Sequence, residues 1–145
     1  MIKIKNRLAS DQGFTLIELL VVIVILGILV AIAVPSYLSF RGNAAQAAAQ
    51  ANVRSAIPAA EGYYQDPAAG NGLYTGMSKA ALQTQAPGVD PNVNVTVVNT
   101  GQGYCLDDTN GGKMAYYVGG NPGTVTGGVK SAVTTGKTCA TITFS

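Results

Sequence analysis

Residues 13–35 read GFTLIELLVVIVILGILVAIAVP, and this stretch decides the architecture. From Phe14 to Val34 the only charge is Glu18. A helix of that length rises roughly 30 Å, about one bilayer core. The run is apolar on every face, and the rest of the 145-residue chain is too short to surround it. The expected place for this segment is therefore lipid, or the company of other chains.

The flank sets a direction. Lys3, Lys5 and Arg7 precede the run, against Asp11. The positive-inside rule then puts the N-terminus in the cytoplasm. A secretory signal peptide and an uncleaved anchor share this pattern. Ala31-Ile32-Ala33 has the spacing of a signal-peptidase site, but it lies inside the apolar run. Glu18 argues against both. Charges in membrane segments are costly and usually paired, yet no Lys or Arg follows until Arg41. Cleavage after Gly13 would place a new α-amine on Phe14, four residues before Glu18.

Composition narrows the function. Charged residues make up 11% of the chain, against about 25% in globular proteins. His is absent, which removes His-based triads and His metal sites. Net charge is +2, and beyond Gly13 the basic and acidic residues balance. No basic cluster marks a nucleic-acid surface. Two cysteines allow one disulfide and no four-cysteine zinc site.

The order glycine, aromatic, glutamate, apolar run and proline resembles the class III signal of type IV pilins and pseudopilins. The resemblance covers the leader and about 30 residues after it. It implies cleavage between Gly13 and Phe14 by a membrane prepilin peptidase, and N-methylation of Phe14. It implies that Glu18 neutralises the N-terminus of a neighbouring subunit during assembly. It also implies that the helix kinks or melts between Gly27 and Pro35. The partners would be further copies of the chain in a helical filament, the peptidase, and an assembly platform driven by separate ATPases. The chain would sit in the cytoplasmic (inner) membrane as a prepilin, and in an extracellular pilus after assembly. No cofactor, metal or enzyme activity is implied. The alternatives are a pseudopilin of a type II secretion or competence system, or a monomeric membrane-anchored binding domain.

Beyond Pro35, seven alanines between Asn43 and Pro58 predict a second, amphipathic half-helix. Tyr37, Phe40, Ala44, Ala47, Ala48 and Ala51 share one face, which is expected to pack on the head. Asn43, Gln46, Gln50 and Asn52 are expected to point elsewhere. The organisation is thus leader 1–13, helix 14–57 and head 58–145. In the head, Ser78 to Gln85 reads as a short helix capped by Ser78. Strand-like runs fall at Val93–Val98, Tyr104–Leu106, Met114–Val118, Val129–Thr134 and Cys139–Phe144. Asn110-Gly111-Gly112 reads as a hairpin turn. The fold class is α+β, a long N-terminal helix on a small antiparallel sheet.

Cys105 and Cys139 both lie in the extracytoplasmic part, where thiols oxidise. A bridge between them would contribute ~3.7 kcal/mol on the chain-entropy model. Many pilins carry a similar disulfide-bounded C-terminal region, and 119–136 is then expected to be an exposed, flexible loop. Asp107-Asp108-Thr109-Asn110-Gly111 is rich in oxygen ligands and lacks the distal Glu of a calcium loop, so a solvated turn is the simpler reading. Tyr63/Tyr64 and Tyr116/Tyr117 read as packing residues.

Overall fold

The structure is a computed structural model that describes residues 13–145. The basic flank Lys3, Lys5 and Arg7 lies outside the described residues. The described chain falls into two compact units, divided between Ser39 and Phe40.

One helix, α1 (Leu16–Gln65), contains the apolar run and continues into the head unit. In the first unit its side chains are exposed throughout. This stretch is long and apolar enough to cross a membrane. Pro35 does not interrupt the helix. Ser36, next to it, donates its hydroxyl to the Ile32 carbonyl at 3.2 Å. That bond competes with the backbone ladder and favours bending.

In the head unit α1 runs past Pro58, beyond the boundary expected at 57. An interior proline costs about 3 kcal/mol. The burial of Ala59, Ala60 and Tyr63 beyond it offsets that cost. The helix ends at Gln65, before Asp66-Pro67, where the residue preceding a proline resists helical angles. Gly70 N and Gly72 N donate to the carbonyls of Tyr63 and Tyr64, which satisfies the last turn.

The buried face of α1 also differs from the expected one. Ala49, Val53, Ala56, Ala59, Ala60 and Tyr63 enter the core, while Tyr37, Phe40, Ala44, Ala47 and Ala51 are exposed and Ala48 is half-buried. Gln46 and Asn52 do not point away. Gln46 donates to the Met114 carbonyl, and Asn52 to Asp108 Oδ2, both at 2.9 Å. Alanine is similar on all sides of this helix, so hydrophobic contrast does not set its rotation. The amides and Val53 do.

A short helix, α2 (Lys79–Gln85), follows, and Ser78 caps it through Ala81 N as its sequence predicts. The main sheet has the order β1 (Asn94–Val98), β2 (Gly103–Asn110), β3 (Lys113–Gly120) and β5 (Thr134–Thr135), all antiparallel. Gly111 and Gly112, both at positive φ, make the β2–β3 turn. β4 (Val125–Thr126) pairs with β6 (Thr143–Phe144) in a second, two-stranded sheet. Cys139–Thr141 is a 3-10 turn, so the expected strand at 139–144 shortens to β6. The stretch 119–136, expected as an exposed, flexible loop with a strand-like run at Val129–Thr134, contains β4 and β5, and the expected strand shrinks to Thr134–Thr135. Lys130 and Lys137 each donate to a carbonyl within it, Gly123 O and Gly127 O.

Strand β2 is buried on both faces. Side chains alternate along a strand, so Tyr104 and Leu106 join α1 in one core, and Cys105 joins Tyr116, Val118, Cys139 and Ile142 in another. On the α1 side, Tyr104 donates to Glu61 Oε1 at 2.7 Å, and Tyr74 to Glu61 Oε2 at 3.1 Å. Burial first, then the hydrogen bond to Glu61 and its charge, push the Tyr104 phenol well above its usual 10.0. Burial and the same carboxylate raise Tyr74. The folded head therefore keeps phenolic protons that the unfolded chain releases above pH ~10. With more protons bound in the native state, stability is full below that pH and falls as pH rises beyond it. Thermal melts between pH 8 and 12 are expected to be flat to ~10 and then to decline. Tyr104→Phe, with no proton to lose, is expected to flatten the decline; an unchanged slope would remove Tyr104 as its source.

Candidate functional site at the start of the helix

Gly13, Phe14 and Thr15 precede α1, and Phe14 is 85% exposed. Thr15 is the N-cap residue and Glu18 is the third helical residue. Glu18 N donates to Thr15 Oγ1 at 3.3 Å, and Thr15 N donates to Glu18 Oε2 at 2.8 Å. The Thr15 hydroxyl donates to the same oxygen at 2.8 Å. This is a reciprocal capping box, which satisfies two otherwise orphaned backbone donors. The carboxylate also lies in the first turn, where the helix dipole favours negative charge.

The box uses only one oxygen of the carboxylate. Glu18 Oε1 makes no hydrogen bond among the described residues. Phe14, Ile17, Val21 and Val22 surround the carboxylate with apolar surface. The site thus offers one anchored charge with one free acceptor, in apolar surroundings, one turn from Phe14 N. Chemically it can receive a cation. Sequence reasoning singled out Gly13, Phe14 and Glu18 and missed Thr15. The signal was present as Thr-x-x-Glu immediately before the apolar run.

Two glycines at the motif lie in open space among the described residues. Among the described residues, a β-carbon at Gly13 or at Gly27 would meet nothing within 4 Å. Gly27 nevertheless weakens the helix by about 1 kcal/mol relative to alanine.

The other sequence-predicted positions lie in the head unit. Cys105 and Cys139 form a disulfide of S–S 2.05 Å. It joins β2 to the C-terminal 3-10 turn, and Cys139 N donates to Asp107 Oδ1 at 3.2 Å. Asp107 and Asp108 lie within β2, not in a turn, and point to opposite faces of it. Asn94 donates to Asp107 and Asn52 to Asp108, so the two carboxylates do not share a ligand position. Among the described residues no group of three or more His, Cys, Asp or Glu could hold a metal.

Comparison with known proteins agrees with the geometry. Residues 8–34 match the family model described as the prokaryotic N-terminal methylation motif. The chain is 32% identical to the type IV major fimbrial protein FimA of Dichelobacter nodosus over 116 residues, 77% of this chain and 74% of that protein. It is 33% identical to the type IV wide pilus major component PilA4 of Thermus thermophilus over 98 residues, 67% and 72% of the two chains. It is 38% identical to the type IV major pilin protein PilA of Myxococcus xanthus over 56 residues, 39% of this chain and 26% of that longer protein. No solved structure matches. The similarity to FimA and PilA4 extends far beyond the apolar helix into the head, and with the prepilin motif at residues 8–34 it establishes that this chain belongs to the type IV pilin family.

Proposed function

We propose that the chain is a prepilin, the structural subunit of a type IV pilus, with no catalytic role of its own. A prepilin peptidase cuts between Gly13 and Phe14, and the new amine of Phe14 is methylated. The processed subunit waits in the inner membrane with its N-terminus on the cytoplasmic side. It then polymerises through residues 14–34 into a surface filament that serves adhesion, twitching or DNA uptake. The assembly platform and its ATPases supply the work.

One observation carries this reading: an exposed apolar helix that begins with a carboxylate half committed to its own cap and half free. The free oxygen is the acceptor for the methylated amine of an incoming subunit. In apolar surroundings the alternative is an unpaired charge, so pairing fixes the axial register. The glycines fit the same scheme. No described residue crowds Gly13, which suits a residue kept small for a peptidase to reach the backbone. Gly27 and Pro35 weaken the helix where a filament would melt it. The relatives are named as major components of pili, which favours a pilus over a secretion pseudopilus.

The direct test is the intact mass of the dominant subunit in filaments sheared from cells that make this chain. The expected species starts at Phe14, carries one added methyl group and lacks two hydrogens for the Cys105–Cys139 bridge. A dominant species still carrying Met1 to Gly13 would overturn the prepilin reading and restore an uncleaved anchor.

A further inference from the structure

The head unit contains a cleft of about 480 Å³, separate from the site at the start of α1. Tyr64, Leu73, Tyr74, Gln102 and Asn121 line it, with Gly72 and Gly120. Its size is within the range of small-molecule sites, about 300–1,000 Å³. Its lining combines the half-buried Tyr64 over the buried Tyr74 with two exposed amides and no charged side chain.

Each part is held in place. Tyr64 packs on Tyr74 with ring centroids 4.9 Å apart and the planes tilted by 34°. Glu61 fixes the Tyr74 hydroxyl from below the cleft. Asn121 Nδ2 donates to Gln102 Oε1 at 3.3 Å. Asn99 Nδ2 donates to the same oxygen at 3.3 Å and to Asn121 O at 2.9 Å. Two polar atoms of the pair remain unused. Gln102 Nε2, a donor, and Asn121 Oδ1, an acceptor, make no hydrogen bond among the described residues.

The loops that meet here are also strained. Asn71, Asn99 and Thr100 have φ of 47°, 50° and 51°, left-handed values that non-glycine residues rarely adopt. These are three of the four such residues in the described chain. A β-carbon on Gly120 would come within 2.6 Å of Tyr74 Cε2 and 2.7 Å of Gln102 O, so the close approach needs glycine. Strain of this kind tends to gather at ligand sites.

The geometry points to a carbohydrate-binding cleft, in which Tyr64 stacks on the C–H face of a neutral sugar while Gln102 and Asn121 hydrogen-bond its hydroxyls. Aromatic rings present a flat apolar platform. Primary amides each offer a donor and an acceptor, as paired hydroxyls require. A phosphate or carboxylate ligand would meet no cation here. A purely apolar ligand would strip water from both amides without replacing it.

The test uses the full chain in a zwitterionic detergent without a sugar headgroup. Methyl β-galactoside, methyl α-mannoside and methyl N-acetyl-β-glucosaminide are the probes, followed by saturation-transfer NMR. At least one is expected to receive saturation at its ring C–H protons at concentrations up to ~50 mM. Gln102→Ala, at an exposed position, is expected to weaken that binding about tenfold, the loss of one good hydrogen bond. Tyr64→Phe is expected to retain it, and Tyr64→Ala to lose it. No transfer from any of the three sugars would overturn the proposal. So would binding that Gln102→Ala leaves unchanged, or competition of inorganic phosphate for the same site.

Discussion

Cells carrying Glu18→Gln are expected to make the subunit, process it and assemble almost no filament. The glutamine variant separates two roles that alanine confounds. A glutamine at the third helical position still completes a capping box, because its amide oxygen accepts from Thr15 N. It carries no charge, so it could not neutralise the incoming amine proposed above. Losing the cap alone costs about 1 kcal/mol. Leaving one partner of a buried charge pair unanswered costs about 3–5 kcal/mol, a factor of roughly 150 to 5,000 in the step concerned. Charge therefore outweighs the cap, and Glu18→Gln and Glu18→Ala should fail to similar extents. The measurement is the ratio of subunit in sheared filaments to subunit left in membranes. Wild-type filament yield from Glu18→Gln would sink the pairing role and reduce Glu18 to a helix cap.

The second large effect belongs to Cys139→Ser. The bridge ties the C-terminal segment to the face of β2 turned away from α1. Without it, Ile142 and Phe144 must hold that face by packing alone, and Asp107 keeps its bond from Cys139 N only if the segment stays in place. Loss of a native disulfide from a small domain costs about 2–5 kcal/mol. For a head of this size the melting temperature should fall by about 8 °C or more. The core between α1 and β2 does not involve the bridge. Limited proteolysis of the variant should therefore cut first within 121–138 and spare Ala49–Tyr63. A melting temperature within ~2 °C of wild type would show that the second core stands unaided.

The legible parts of this molecule are those whose signal is local. The apolar run, the Ser78 cap and the Asn110-Gly111-Gly112 turn each declare themselves within a few residues. The two cysteines leave a single pairing, and it forms. The rotation of the second half of α1 was not legible, because a face defined by alanine has almost no hydrophobic contrast. What fixes it is Val53 with the partners of Gln46 and Asn52, which lie 68 and 56 residues away in sequence, respectively. Glu61 was unreadable for the same reason: its two tyrosines come from distant segments. The strand expected at 139–144 failed because β-propensity does not reveal that a covalent bond and a buried aspartate hold Cys139 in a turn. Thr15 is a different case, a local signal eclipsed by the stronger motif around it.

The position of the disulfide has a mechanical consequence for a protein whose relatives are major components of pili. Cys105 and Cys139 are 34 residues apart in sequence. If a subunit is pulled until its head yields, the chain between them cannot pay out while the bridge holds. At about 3.4 Å per extended residue, roughly 115 Å of slack stays locked inside each head. A fibre of such subunits lengthens under load far less than its chain length allows, and a reducing agent is what would release the remainder.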